Sequence, residues 1–269
     1  MRRRSWSGLS DGWPNGCSFT YDRQDLLGRD NSLSFPASHH IGFNDDAVSQ
    51  DMSTLSRPQA RQFYDWMGSK LDLQAFCEDR ATAELTEHLD LGSAEFVFEF
   101  GCGTGRFAES LLARHLSRTA IYHAVDISPV MVGLARERLK KFGPRANVRI
   151  TDGRPSIDEA SESHDRFISN FVLDLLSEDD IENVLREAHR LLCPGGLLGL
   201  SSQTPGFTLA SRIFTSVWNS IYAVRPALVG GCRALELLNF LPPSDWNICH
   251  HARITRIGIP LEAVVARRL

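Results

Sequence analysis

Hydrophobic positions change period along this chain. From about residue 95, short apolar runs alternate with stretches of helical spacing. Phe96–Phe100 reads as a strand ending in glycines, and 105–117 as a helix with Phe107, Leu111, Leu112 and Leu116 on one side. Ile121–Val125 is a second strand and 129–142 a second helix. Val148–Ile150 and Phe167–Val172 follow as strands, then a helix over 178–192 and a strand over Leu197–Ser201 behind the turn Pro194-Gly195-Gly196. Strands separated by single helices require right-handed crossovers. The tail departs from this pattern. Residues 207–223 read as an amphipathic helix with Phe207, Ala210, Phe214, Val217, Trp218 and Ile221 on its apolar face. Runs near 247–255 and 260–267 are linked too closely for a crossover and predict an antiparallel hairpin through Gly258. The fold class is thus α/β: a doubly wound, mostly parallel seven-stranded sheet with helices on both faces and a C-terminal hairpin.

Ahead of this core, residues 55–92 predict extra helices. Pro58 suits a first turn, Ala60, Phe63, Tyr64 and Met67 recur at helix spacing, and Asp72 is a candidate N-cap for a second helix. Residues 1–54 are rich in Ser, Asp, Gly and Asn and lack a sustained period. They predict a disordered or irregular extension, with Met52 as an alternative start. The expected divisions are a core over 93–203, a lid or substrate region over 204–243 and the final hairpin over 244–269.

Composition excludes several classes. A hydrophobic share of 42% is enough to bury a core. A net charge of −4 argues against a broadly phosphate-neutralising surface, so no nucleic-acid partner is expected. The six cysteines form no C-x-x-C pair, which reads as reduced thiols in a cytoplasmic protein. No apolar run approaches the ~18 residues of a membrane span. The basic start, Met1-Arg2-Arg3-Arg4, lacks the apolar segment of a secretory signal. The paired histidines 39, 40, 250 and 251 have no cysteine or carboxylate at ligand spacing, so no metal is expected.

The strongest chemical signal is Glu99-Phe100-Gly101-Cys102-Gly103-Thr104-Gly105-Arg106. Glycines after a first strand permit a sharp turn and let a ligand lie against main chain. The next helix aims its N–H groups at that ligand. A dinucleotide fingerprint wants a small residue where Arg106 stands. Glu99 would repel a pyrophosphate but suits an ammonium. Asp126, ending the second strand, can accept both hydroxyls of a ribose.

These residues, with Asp126-Ile127-Ser128-Pro129 and Leu191-Leu192-Cys193-Pro194-Gly195-Gly196, resemble the class I, Rossmann-like S-adenosylmethionine-dependent methyltransferases, in the small-molecule and lipid-type subgroup. The resemblance covers about 60–267. It implies that Gly101, Cys102, Gly103 and Gly105 lie along the methionine moiety and that Glu99 faces its amino group. It implies that Asp126 holds the ribose, Ile127 and Met131 flank the adenine, and Asp152 with Gly153 meets the adenine amine. Asn170 and Phe171 would stand beside the reacting methyl. The same resemblance suggests Gln74, Phe76 and Glu78 in cofactor-covering helices. Tyr64, Asp174, Phe214 and Trp218 are candidates for the acceptor wall. The implied activity is in-line methyl transfer from S-adenosylmethionine to O, N or C of a small or lipid-like acceptor. The alternatives are a nucleotide or dinucleotide enzyme on the same fold, or a scaffold that keeps the pocket without turnover. Asn170-Phe171-Val172-Leu173 is not the Asn/Asp-Pro-Pro-aromatic box, which disfavours nucleobase amines. Cys102 and Cys193 stand too far apart in the pattern to favour arsenite.

Overall fold

The computed structural model describes residues 54–73 and 75–269, the side chains of 75–77 and 227–228 excepted. The expected extension over 1–54 and the Met52 start fall outside them, save Thr54, as do Gln74 and the Phe76 side chain. Seven strands form one sheet in the order β3-β2-β1-β4-β5-β7-β6. They are β1 Phe96–Phe100, β2 Ile121–Asp126, β3 Ala146–Ile150, β4 His164–Asn170, β5 Leu192–Gln203, β6 Trp246–Arg256 and β7 Ile259–Arg268. All pairs are parallel except β7, which runs antiparallel to both β5 and β6.

Helices cover both faces. The order is α1 Arg57–Met67, α2 Ala75–His88, α3 Arg106–Ser110, α4 Pro129–Leu139, α5 Glu178–Leu191 and α6 Leu209–Val224. One core layer joins Leu85, Leu111 and Ala135 to the sheet residues Val97, Tyr122 and Ile168. The other joins Ile181, Leu185 and Leu191 of α5 to Phe98, Phe167 and Leu198. Adjacent strand positions alternate between these layers, as a pleat requires.

The predicted succession of strands and helices holds, with five corrections. Pro194-Gly195-Gly196, expected as a turn ahead of the strand, lies within the longer β5 at a shift in its register with β4. β4 starts at His164, not Phe167, because polar residues enter the sheet with tertiary partners. The Asp165 carboxylate accepts the Glu95 N–H at 2.7 Å, and Arg166 donates to the Leu89 carbonyl at 2.5 Å. The helix expected over 105–117 is α3 followed by a π turn over Leu111–His115. Asp72 caps no helix; it sits in a 3-10 segment, Gly68–Leu73, and binds across to the glycine loop. Finally, α6 is rotated part of a turn from the expected orientation, with Phe214 and Trp218 of the expected face only half-buried. Its buried residues are Ser211, Thr215 and Tyr222, while Val217 and Ile221 of the expected core face are exposed. The hairpin forms as predicted, with Ile257 and Gly258 both at positive φ in the tight turn.

Candidate functional site

The glycine loop leaves β1 beside β4, where the strand order reverses and a crevice opens at the carboxyl ends. Gly101, Gly103 and Gly105 have φ of 80°, 51° and 74°. A Cβ on Gly105 would lie 3.0 Å from Ala135 Cα, so this glycine serves the contact with α4. A Cβ on Gly101 would strike Val172 Cγ2 at 2.3 Å. Gly101 and Gly103 present bare backbone to a cavity of about 890 Å³, which Glu99, Cys102 and Asn170 also line. That volume admits a nucleoside-sized ligand with space beside it. Gly105, Asp126, Ile127, Met131, Asp152, Gly153 and Phe171 do not line this cavity.

Register places Val97 beside Tyr122 and Glu99 beside Ala124, so Glu99, Tyr122 and Asp126 share one sheet face. Glu99 is 1% exposed. The Tyr122 hydroxyl donates to its Oε2, and Asn170 Nδ2 donates to Oε1 at 3.4 Å. Burial pushes this carboxyl up to about 7, opposed by those hydrogen bonds and reinforced by Asp126. A cation placed here would favour the ionised form.

Asp126 accepts the N–H groups of Gly103 at 2.8 Å and Ser128 at 2.9 Å. Burial raises its pKa, and those backbone hydrogen bonds oppose the rise. A carboxylate offers about four acceptor positions, which leaves room for two hydroxyls. Gly153 closes on Ile127, whose Cδ1 lies 2.6 Å from where a glycine-replacing Cβ would sit. Asp152 is exposed and accepts the Arg154 N–H at 2.9 Å within its own loop. Met131 is buried in the first turn of α4. Phe171 follows β4 with φ of 53°. A non-glycine residue held there costs about 1–3 kcal/mol, and its N–H is tied to the Ser201 carbonyl at 2.9 Å.

Four polar ties hold the N-terminal helices near this loop. Ser128 donates to Asp65 at 2.5 Å, Thr104 to Asp72 at 2.5 Å and Arg138 to Asp72 at 2.6 Å. Arg106, the residue at odds with a dinucleotide fingerprint, forms a fork on Asp79 at 2.8 Å.

The acceptor-wall candidates converge. Asp174 lies in a 3-10 turn after β4 and is 1% exposed. Burial pushes it up to about 7, against a hydrogen bond from the Gln203 backbone and the charge of Arg233. Its Oδ1 has no hydrogen-bond partner. Glu78 is also pushed up to about 7, by burial and then by Asp174. Burial raises Tyr64 well above the usual phenol range, and the charges of Cys232 and Asp174 add to it. Tyr64 hydrogen-bonds Cys232, whose carbonyl accepts the Trp218 indole N–H at 2.8 Å. Phe214 stacks on Trp218 with ring centroids 5.4 Å apart. This group combines an apolar wall with two carboxyls poised to exchange a proton near neutrality.

The sequence reading missed Tyr122, Asp72, Arg138 and Cys232. Tyr122 was detectable once β1 and β2 were set in register. Cys232 gave no signal, because it reaches Tyr64 from an irregular segment.

Two other groups bring metal-type ligands together. His250 meets Glu84 at 3.0 Å, but its ring stacks on His88 at 3.5 Å and 6°, so a shared ion would leave both ring planes. His123 lies 3.3 Å from Glu159, whose same oxygen is held by Arg149. Neither group is assigned an ion. Among the described residues no three thiols converge: Cys193 bonds the Glu162 carbonyl, and Cys249 is exposed.

Comparison with known proteins bears on this site. Residues 97–196 match the family described as Methyltransferase domain. The chain is 29% identical over 199 residues to a malonyl-[acyl-carrier protein] O-methyltransferase of Paenibacillus sp. (strain JDR-2), covering 70% of this chain and 67% of that protein. It is 30% identical over 135 residues to methyltransferase GfsG of Streptomyces halstedii, covering 49% of this chain and 46% of that one. The alignment thus spans about half the length of that second relative. The fold is similar to that of N-methyltransferase NodS from Bradyrhizobium japonicum WM9, solved with S-adenosyl-L-homocysteine. The TM-score is 0.59 at 20% identity, over 78% of this chain and 98% of that one.

Proposed function

Because this chain carries a class I S-adenosylmethionine-dependent methyltransferase domain, we propose that it methylates a hydroxyl or amine on a small amphiphilic molecule, with Asp174 taking the proton. S-adenosylmethionine, when bound, supplies an electrophilic methyl group on a sulfonium. The chain's residues then hold, align and exclude water. Glu99 receives the ammonium, Asp126 the ribose hydroxyls, and Gly101 and Gly103 the bare-backbone approach. Ile127 and Met131 border the adenine, and Asn170 and Phe171 border the methyl.

The observation that carries this reading is the unpartnered Asp174 Oδ1, buried beside Tyr64 and Glu78. A hydroxyl or ammonium acceptor must shed a proton as the new bond forms, and a carboxyl poised near neutrality accepts it. An ionised carboxylate acceptor needs a cation instead. The nearest candidate, Arg233, already donates to the Leu176 carbonyl at 2.8 Å and lies 3.9 Å from Glu178. Phe214 and Trp218 supply the apolar side that an amphiphile requires.

The test is transfer of labelled methyl to panels of amines, alcohols, phenols and carboxylates by wild type and Asp174→Asn. The expected result is turnover of amines or hydroxyl compounds, lowered about 10²–10⁴-fold in the variant, with cofactor affinity retained. Turnover of carboxylates alone, or an undiminished variant, overturns the assignment.

A further inference from the structure

Helix α6 carries apolar residues on two sides. Its inner side holds Ser211, Thr215 and Tyr222, with Phe214 and Trp218 half-buried beside them, while Leu209, Ile213, Val217, Ile221 and Val224 on the outer side are 78%, 58%, 55%, 38% and 84% exposed. At about 100° per residue, these five fall in an arc of about 120°. Water-facing helix arcs are ordinarily polar. An exposed apolar stripe of this kind, broken only by Ser220, marks an interaction site.

Charge identifies what covers it. Arg212 and Arg225 are exposed and lie on opposite flanks of the stripe. From Gln203 to Leu235 the chain contains three arginines and no aspartate or glutamate, within a protein of net charge −4. Arg233 turns inward to the Leu176 carbonyl, and Arg212 and Arg225 leave the segment that carries the stripe with net positive charge. Arginines beside an apolar stripe reach up to anionic headgroups while the stripe enters the acyl boundary. A second apolar point lies at the same end of the sheet. Ile257, at the β6–β7 turn, is 74% exposed, and Thr204, just before α6, donates to Pro260 at 3.1 Å. No helix among the described residues is long and apolar enough to cross a membrane.

We propose that α6 is an interfacial helix that seats this protein on an anionic lipid surface. The proposal stands apart from the assignment of Asp174. It places the acceptor wall, through Trp218 and Cys232, on the inner side of the element that meets the lipid.

The test is co-sedimentation of the full chain with phosphatidylcholine vesicles, with and without one third phosphatidylglycerol. The expected result is binding to the anionic vesicles that weakens with added salt. Ile213→Glu with Val217→Glu loses about tenfold or more in partitioning. Arg212→Gln and Arg225→Gln each lose about fivefold. Both sets change exposed positions, and unchanged circular dichroism and melting verify the fold. Wild type remaining in the supernatant overturns the proposal, as does equal binding by either variant set. A wild-type dimer in sedimentation velocity that Ile213→Glu splits, without vesicle binding, assigns the stripe to a second copy and also overturns it.

Discussion

With the cofactor's ammonium seated on Glu99 as proposed, affinity depends on pH in a direction that can be worked out. Its carboxyl is raised to about 7 in the free protein by burial. An ammonium beside it stabilises the ionised form. Below pH 7, binding must first remove the proton, so the dissociation constant rises as pH falls. For full coupling the dependence is 1 + 10^(pKa − pH), and from pH 7 to pH 5.5 this predicts about a fifteenfold rise, or about 1.6 kcal/mol. S-adenosylhomocysteine is the better probe, because it keeps the amino group and lacks the sulfonium that Asp174 and Glu78 would also sense. Isothermal titration in two buffers of different ionisation enthalpy gives both affinity and proton release. At pH 7, release should approach half a proton per site. Glu99→Gln should bind more weakly at pH 7 and flatten the profile. A flat wild-type profile, or an unchanged slope in Glu99→Gln, refutes the reasoning.

Three further outcomes follow from neighbouring geometry. Tyr122→Phe removes the donor that holds Glu99 down, so the pH midpoint of binding should move upward and affinity at pH 7 should fall. Gly101→Ala should lower the melting temperature and weaken cofactor binding, because its Cβ strikes Val172 at a positive φ; a shared loss of about 1–3 kcal/mol is expected, and Val172→Ala should recover part of it. Asp174 is raised from 3.8 to about 7 by burial, so the folded state binds its proton more tightly than the unfolded state. Its contribution therefore lowers stability as pH rises from about 4 to 7, by about 4 kcal/mol at most. Asp174→Asn should melt higher than wild type at pH 8 but not at pH 4, while losing transfer activity.

Elements governed by local pattern were legible in advance. Phe96–Phe100 reads as a strand because its neighbours are apolar and glycines stop it, and β1 has those bounds. The hairpin through Gly258 follows from the two β runs around it, although the positive φ of Ile257 does not, since a β-branched residue disfavours it. The start of β4 was hidden because His164, Asp165 and Arg166 look like surface residues until Leu89 and Glu95 supply their partners. The orientation of α6 was hidden for the opposite reason: apolar spacing identifies a stripe but not which side of the helix meets the protein. At the candidate site, spacing singled out Glu99, Asp126 and the glycines, because one loop and two strand ends carry them, and Glu99, Gly101 and Gly103 line one cavity. It could not find the meeting of Tyr64 and Cys232, which depends on α1 packing near an irregular segment.

The position of β7 has a consequence for synthesis. It lies between β5 and β6 but is made after both. A ribosome must therefore release the chain through Arg268 before β5 gains its second neighbour. Until then the nascent protein carries an open edge of unpaired N–H and C=O groups, the kind that recruits stray strands. Cleavage at the exposed hairpin turn, at Ile257, would break the link between β6 and β7 and recreate that hazard in the finished molecule. Solubility of truncated or nicked chains should thus fail abruptly at this strand rather than decline by degrees.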